Sequence, residues 1–424
     1  MTGMKRKIIF GIVLTVAFFY SIRTEILNLA ISSNLNADIV KLLLWCGGDI
    51  NEIPRETWIK AAKKENISPQ LLTAAVKAGA DPSDLLETVL PNLSSGNSQI
   101  INILIDLGAN IKTKDKNGAN ILMNSAVSYI NPDTVKILDS NGISVSARDR
   151  YGKTALMYAA ENGNKTVDTI IAEGANVNDR DNYGKTALIY AIESNTDTVK
   201  KLIAAGAYIN DRDRHGKTVL MYAAEKNSMA TAPLIDAKAD ISAADNAGRT
   251  ALIYAVKNIC NNKRCYNHSP APEIISLLIK AGSDVNAKDK NGTTVLIHAV
   301  TGLSARDKNK YEQVIEELIR AGADINAGDD YGKTPLMYAI TDKEAEKKID
   351  VFLKNKVEVN TVDSDGTSAI MYAAGWSNSL ALIKKLKDGG ADVDIKDRFG
   401  KTAFDYAQNN RRINHNNIVK ILRK

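Results

Sequence analysis

Five copies of the triplet Gly-Lys-Thr could take part in phosphate chemistry, because the same triplet ends the phosphate-binding loop G-x-x-x-x-G-K-[ST]. The triplets begin at Gly152, Gly184, Gly216, Gly332 and Gly400. A working loop needs an earlier glycine, so that backbone N–H groups can surround the phosphates. That position holds Ala147, Asp179, Asp211, Ala327 and Ile395. No copy completes the motif, so the sequence predicts no nucleotide binding and no cofactor.

The other reactive side chains do not form a catalytic set. The chain has four histidines, which lie far apart in the sequence at His215, His268, His298 and His415. The sequence contains no HExxH, no G-x-S-x-G and no glycine-rich turn after a predicted strand. Zinc, nucleophilic and dinucleotide chemistry therefore have no candidate residues. These absences predict a protein that is not an enzyme.

The segment 258–272 contains Cys260, Cys265 and His268, and these residues allow three interpretations. Their spacing, C-x4-C-x2-H, offers a metal ion three ligands, but a structural zinc site needs a fourth and uses other spacings. In an exported protein the two cysteines are close enough in sequence to form a local disulfide, which is the interpretation we favour. Free thiols are the main alternative, and we expect no metal site.

The Gly-Lys-Thr triplets belong to a longer repeated unit. Junction glycines recur with a period of about 33 residues, which is typical of helical repeat proteins. They are Gly118, Gly152, Gly184, Gly216, Gly248, Gly292, Gly332, Gly366 and Gly400. Within one unit, Thr186 is suited to cap a first helix, and Val199 and Leu202 share one face of a second helix. Gly206 follows where a left-handed residue would end that helix.

The unit resembles the ankyrin repeat, whose motif T-P-L-H-x-A is similar to "TPLMYA" at 334–339 and "TALIYA" at 186–191. The resemblance implies an all-α repeat solenoid of about twelve units, each a helix-turn-helix followed by a β-hairpin loop. In these copies Met or Ile replaces the histidine of the family motif. Other side chains must therefore supply the hydrogen bonds that this histidine makes across the loops.

The repeats divide the chain into regions of different regularity. Residues 24–109 are predicted to form degenerate repeats, because their units lack the junction glycine. Residues 110–424 are predicted to form regular repeats, with inserts at 258–272 and 301–312. The two inserts occupy the same place between the helices of adjacent units. We expect ordinary surface loops there, although a paired elaboration is also compatible with a contact site.

Residues 1–23 have the features of a signal anchor or a signal peptide. The basic stretch "MKRK" precedes an uncharged apolar run at 8–22, which Arg23 closes. Because no suitable cleavage site follows the run, an uncleaved, single-pass anchor is favoured over a cleaved signal or a buried helix. The cations before the run predict that the N-terminus stays in the cytoplasm. The repeats would then be extracytoplasmic, in the periplasm of a bacterial-type array or secreted after cleavage.

The predicted hairpin tips carry basic and aromatic residues of the types that dominate protein interfaces. These candidate partner-binding residues are Arg148, Arg150, Tyr151, Lys153, Arg180, Tyr183, Lys185, Arg212, Arg214, His215 and Lys217. A charged row that only keeps the repeats soluble is the alternative. The net charge of +6 is compatible with an acidic protein partner, but it is too small to indicate nucleic-acid binding.

One helix position is occupied by tyrosine in repeat after repeat. The residues are Tyr158, Tyr190, Tyr222, Tyr254, Tyr338, Tyr372 and Tyr406, and His298 takes the same place in another unit. Identical residues in identical repeats predict a packing ladder rather than a ligand platform. Asp149, Asp181 and Asp213 are predicted to accept local backbone N–H groups. The resemblance implies a monomeric, non-enzymatic protein-binding scaffold, and the alternative is a cytoplasmic adaptor or secreted effector.

Overall fold

The computed structural model describes residues 69–90, 98–257, 271–302 and 308–422, with gaps at 78, 129, 164, 227–228, 343–344 and 411–414. It also describes the isolated residues 25, 28, 31, 53 and 57. The apolar run at 8–22, the residues Cys260, Cys265 and His268, and part of the 301–312 insert lie outside this part of the chain. The chain divides into two compact units, Met1–Ala207 and Tyr208–Lys424.

The first unit contains short helices that alternate with tight loops. They are α1 (Pro69–Lys77), α2 (Pro82–Val89), α3 (Gln99–Asp106), α4 (Ile121–Ser125), α5 (Pro132–Ser140), α6 (Ala155–Asn162), α7 (Thr166–Ala172), α8 (Ala187–Ala191) and α9 (Thr196–Ala204). The first helices of successive repeats, α4, α6 and α8, pack side by side, and the second helices α5 and α7 pack likewise. Ala159 and Ala191 are fully buried, and their small side chains let these helices approach closely.

The second unit repeats the same arrangement. Its helices are α10 (Val219–Glu225), α11 (Thr231–Asp236), α12 (Ala251–Lys257), α13 (Ala271–Lys280), α14 (Val295–Gly302), α15 (Lys308–Arg320), α16 (Pro335–Ile340), α17 (Ala345–Lys354), α18 (Ala369–Trp376), α19 (Leu380–Asp388), α20 (Ala403–Gln408) and α21 (His415–Leu422). First helices again pack against first helices, from α10 to α20. The all-α repeat solenoid predicted from the period is therefore confirmed. The 301–312 insert contributes the first residues of α15.

Some of the helices begin after a side chain that caps the first turn. The second helices α5 and α9 begin after Asn131 and Asn195, whose side-chain oxygens accept hydrogen bonds from the backbone N–H groups three residues on, at 2.9 and 2.8 Å. Thr186 occupies the N-cap position of α8, as expected, but its side chain makes no capping hydrogen bond. The prediction of a side-chain cap by Thr186 was wrong, because only the backbone has the capping conformation.

The loops between repeats are tight hairpins, and isolated antiparallel bridges such as Lys114–Asn120 and Arg212–Thr218 close several of them. Backbone hydrogen bonds join neighbouring hairpins within each unit: Asn182 N–H donates to the Tyr151 carbonyl at 2.8 Å, and Lys290 N–H to that of Ala247 at 2.9 Å. This close approach requires glycine at the junction, since Gly248 has a φ of +80° and a Cβ there would lie 2.9 Å from Lys290 N. No helix in the described part of the chain has the length and apolar character to cross a membrane.

Candidate functional site

In most of the regular repeats, one aspartate joins the hairpin to the helix that follows it. In the first unit, Asp149 Oδ1 accepts the backbone N–H groups of Tyr151 and Lys153, both at 2.8 Å. Its other oxygen, Oδ2, accepts a hydrogen bond from the Tyr158 hydroxyl at 2.9 Å. We call this arrangement the Asp–Tyr link. It gives both oxygens of a buried carboxylate hydrogen-bond partners and joins the hairpin to the helix.

The Asp–Tyr link recurs in eight repeats, two in the first unit and six in the second, with side-chain distances of 2.7–2.9 Å. The pairs are Asp149–Tyr158, Asp181–Tyr190, Asp213–Tyr222, Asp245–Tyr254, Asp289–His298, Asp329–Tyr338, Asp363–Tyr372 and Asp397–Tyr406. The predicted role of the aspartates as acceptors of local N–H groups is confirmed. The link also supplies a hairpin-to-helix hydrogen bond where the sequence lacks the histidine of the ankyrin motif.

Burial and the carboxylate together keep the tyrosines protonated. Desolvation, and then the hydrogen bond to Asp329, raise the pKa of Tyr338 to about 12. Burial alone would raise the pKa of Asp245, but hydrogen bonds from Arg249 and Tyr254 hold that pKa below its usual range. Each of the seven links that contain a tyrosine is therefore a carboxylate that accepts from a neutral phenol at neutral pH. The phenol proton of each tyrosine is held in a hydrogen bond to its aspartate, which favours the predicted packing ladder over a ligand platform.

Among the lysines of the Gly-Lys-Thr triplets, Lys153, Lys217 and Lys333 each lie between two tyrosine rings. In the first unit, Lys153 Nζ is 4.4 Å from the centre of the Tyr158 ring and 4.2 Å from that of Tyr190. It also contacts the Glu161 carboxylate at 2.7 Å. In the second unit, Lys217 lies in the same way between Tyr222 and Tyr254 and pairs with Glu225. These cation–π contacts and ion pairs give Lys153 and Lys217 a role in packing that requires no phosphate.

Several of the expected partner-binding residues make contacts within or between the repeats. Lys217 is buried, and Lys153 is largely buried. Arg148 pairs with Asp179 at 2.8 Å and donates to the carbonyls of Gly152 and Arg180, so it joins two hairpins. Arg212 donates to the Ala244 carbonyl in the same manner. Lys153 and Lys217 are therefore largely occupied by packing contacts, whereas Arg148 and Arg212 join hairpins and keep exposed side chains.

The remaining expected residues lie at the exposed tips. Arg150, Arg180, Arg214 and His215 are exposed, and Tyr151 and Tyr183 expose 45% and 52% of their surface. Lys185 is half-buried near the Tyr190 ring, at 5.8 Å. The backbone N–H groups of Tyr151, Tyr183 and His215 each donate to the linking aspartate of their own repeat. The tips are thus exposed side chains on a fixed backbone.

Sequence reasoning missed two further exposed aromatic tips, Tyr331 and Phe399, which expose 70% and 67% of their surface. Both stand two residues after a linking aspartate, the position that Tyr151 occupies in its repeat. The spacing from the aspartate indicates such tips in the sequence, although both residues lie outside the basic and aromatic stretch 148–217. In the described part of the chain no cluster of three or more His, Cys, Asp or Glu side chains could hold a metal ion.

Comparison with known families agrees with this geometry. The family model described as ankyrin repeats (3 copies) matches residues 92–181, 122–213, 188–267, 263–347 and 343–424. The fold and the hairpin surface define a repeat protein built for protein–protein interaction, and the chain belongs to the ankyrin-repeat family. The resemblance inferred from the sequence is confirmed. The family typically provides non-enzymatic binding scaffolds.

Replacing Tyr190 with phenylalanine tests the Asp–Tyr link. The change removes the donor to Asp181 Oδ2, which leaves part of a buried carboxylate unsatisfied and should cost about 1–3 kcal/mol. Faster amide hydrogen exchange across residues 181–191 should report this loss. The exposed Tyr183→Phe is the matched control and should leave exchange nearly unchanged. Equal effects of the two variants would show that the hydroxyl of Tyr190 is not needed.

The single histidine in the link position should make the second unit sensitive to pH. Burial lowers the pKa of His298 below its usual value, although Asp289 opposes the shift. The unfolded chain then binds more protons than the folded one, so stability is complete above about pH 6.5 and falls as the pH drops toward the folded pKa. Between pH 7.5 and pH 5.5, the melting temperature of the natural protein should fall further than that of His298→Tyr. An equal fall in both proteins would contradict the assigned role of His298.

Proposed function

We propose that this ankyrin protein is a membrane-tethered scaffold that binds an acidic protein partner through its exposed hairpin tips. In the first unit the binding residues would be Arg150, Tyr151, Arg180 and Tyr183. In the second unit Arg214 and His215 have the same exposure and are assigned the same role. Arginine and tyrosine are the residue types that most often carry the free energy of binding at protein interfaces.

The observation that carries this proposal is the rigidity of the tips. The linking aspartate accepts two backbone N–H groups within each tip, at 2.8 Å for both Asp149 and Asp181, and a tyrosine hydroxyl from the helix below. A fixed backbone loses little conformational entropy when a partner binds, so more of the contact free energy remains as affinity.

Charge reversal at the tips tests this function. In the triple variant Arg150→Glu, Arg180→Glu and Arg214→Glu, affinity capture at low salt should recover the partner at least tenfold less well, about 1.4 kcal/mol. Charges at the rim of an interface act mainly on the association rate, and salt screens them. The difference in capture between the natural protein and the triple variant should therefore narrow at high salt.

The matched control places the same three charge changes on second helices. Lys200, Lys280 and Lys384 are exposed there, and their change to glutamate alters the net charge equally. This control should retain capture, as judged by quantitative mass spectrometry of the recovered proteins. If both triple variants lose capture to the same extent, net charge rather than the tips governs binding.

Tethering rests on residues 8–22, whose apolar side chains follow three cationic residues. This arrangement supports a cytoplasmic N-terminus and an extracytoplasmic repeat domain. A reporter active only outside the cytoplasm, fused after Lys424, should therefore be active. Reversing Lys5, Arg6 and Lys7 to glutamate should lower its activity. A fusion that is active only in the cytoplasm would instead favour a cytoplasmic adaptor.

A further inference from the structure

The second unit contains one cation of the ring ladder that lacks a carboxylate partner. Lys153, Lys217 and Arg249 lie over tyrosine rings, and each forms an ion pair with a carboxylate of its own repeat. Lys333 keeps the ring contacts, at 4.8 Å from the centre of the Tyr372 ring and 5.8 Å from that of Tyr338. Among the described residues, however, no carboxylate forms an ion pair with its ammonium.

Lys333 lacks this ion pair because its repeat has another residue at the position of the glutamate. In the pairs Lys153–Glu161 and Lys217–Glu225, the glutamate follows the lysine by eight residues. The corresponding residue after Lys333 is Thr341, an exposed threonine whose hydroxyl donates to the Tyr338 carbonyl at 3.0 Å. A threonine cannot neutralise an ammonium group.

The following repeat departs from the pattern at the same two positions. Thr367 replaces the lysine and Gly375 replaces the glutamate, so no ion pair separates Tyr372 from Tyr406. Instead Trp376 contacts both rings, with centre-to-centre distances of 5.3 and 5.6 Å, and still exposes 51% of its surface. A Cβ at Gly375 would lie 3.2 Å from Tyr406, so a larger residue there would crowd this aromatic cluster.

Beside these residues lies an open cleft of about 980 Å³, whose lining includes Lys333, Thr341, Tyr372, Trp376 and Tyr406. Its size and its mixture of aromatic and polar walls are typical of binding sites.

The acidic side chains of the wall do not neutralise Lys333. Asp342 pairs with Lys348 at 2.9 Å, and Asp365 pairs with Arg398 at 2.7 Å. Glu346 is exposed and accepts a hydrogen bond from Ser379. Lys347, whose side chain is exposed, is a second cation in the lining of the cleft.

We propose that this cleft binds an acidic peptide segment of a protein partner. A glutamate or aspartate of the segment would pair with Lys333 and supply the carboxylate that Glu161 and Glu225 supply elsewhere. An apolar neighbour in the segment would pack against Trp376 and Tyr406. The inference rests on the proposed function as a protein-binding scaffold, but it assigns a surface different from the hairpin tips.

The test uses the full chain labelled with 5-fluorotryptophan. The sequence has three tryptophans, and the variant Trp376→Phe identifies the fluorine signal of Trp376. The probe is the peptide acetyl-Gly-Phe-Glu-Leu-Gly-amide, with a matched peptide in which glutamine replaces glutamate. The glutamate peptide should shift the Trp376 signal, and the glutamine peptide should bind at least tenfold more weakly.

Two variants separate the proposal from general charge effects. Thr341→Glu gives Lys333 an internal carboxylate partner at an exposed position, so it should weaken binding of the glutamate peptide at least tenfold without harming the fold. Lys333→Met should also weaken this binding at least tenfold. Gln313→Glu adds the same charge on the exposed surface of α15 and should leave binding unchanged.

Several results would overturn the proposal. They are equal binding of the two peptides, undiminished binding to Thr341→Glu, no shift at the highest peptide concentration, and an equal response to acetate. Any of these results together with capture that depends on Arg150, Arg180 and Arg214 would refute the cleft alone. If the triple tip variant still captured the partner and the peptide response were intact, the tip surface would be refuted instead.

Discussion

The buried carboxylate of the Asp–Tyr link is the interaction on which the rest of the molecule depends. A carboxylate removed from water is costly unless its oxygens are fully hydrogen-bonded. In Asp181 one oxygen accepts two N–H groups of its own hairpin and the other accepts the Tyr190 hydroxyl, at distances of 2.7–2.8 Å. The hairpin, the first helix and the direction of the exposed tip are therefore determined together. Repetition of the link gives each repeat nearly the same geometry.

A second constraint is the neutralisation of cations between the rings. An ammonium group close to two aromatic faces is attracted by both, but its burial also calls for a carboxylate. Lys217 meets both requirements through Tyr222, Tyr254 and Glu225. Where the glutamate is absent, as beside Lys333, the same physics leaves a charge that an external group can satisfy. A ladder cation that is paired with a carboxylate of its own repeat is thus a packing residue, and an unpaired one is a candidate binding residue.

Each unit combines a repetitive interior with a variable exterior. The interior uses small residues such as Ala159 and Ala191, which allow close helix packing, and the linking aspartates. The exterior varies from repeat to repeat: the residue two places after the aspartate is Tyr151 in one unit and Ala247 in another. Because this residue contributes only its backbone N–H to the link, its side chain can change without disturbing the fold. That freedom is suited to recognition of a partner.

The sequence by itself determined the period, the helix pairs, the family and the acceptor role of the aspartates, since these depend on local patterns that every unit repeats. It did not distinguish Lys217 from Arg214, which are both basic residues of one hairpin. Only the tertiary structure shows that Lys217 is buried between rings of two repeats while Arg214 is exposed. The cleft beside Lys333 was likewise not apparent, because it depends on Thr341, Gly375 and Trp376 from two repeats. Contacts between repeats decide which side chains are buried. The sequence pattern of a single repeat does not reveal these contacts.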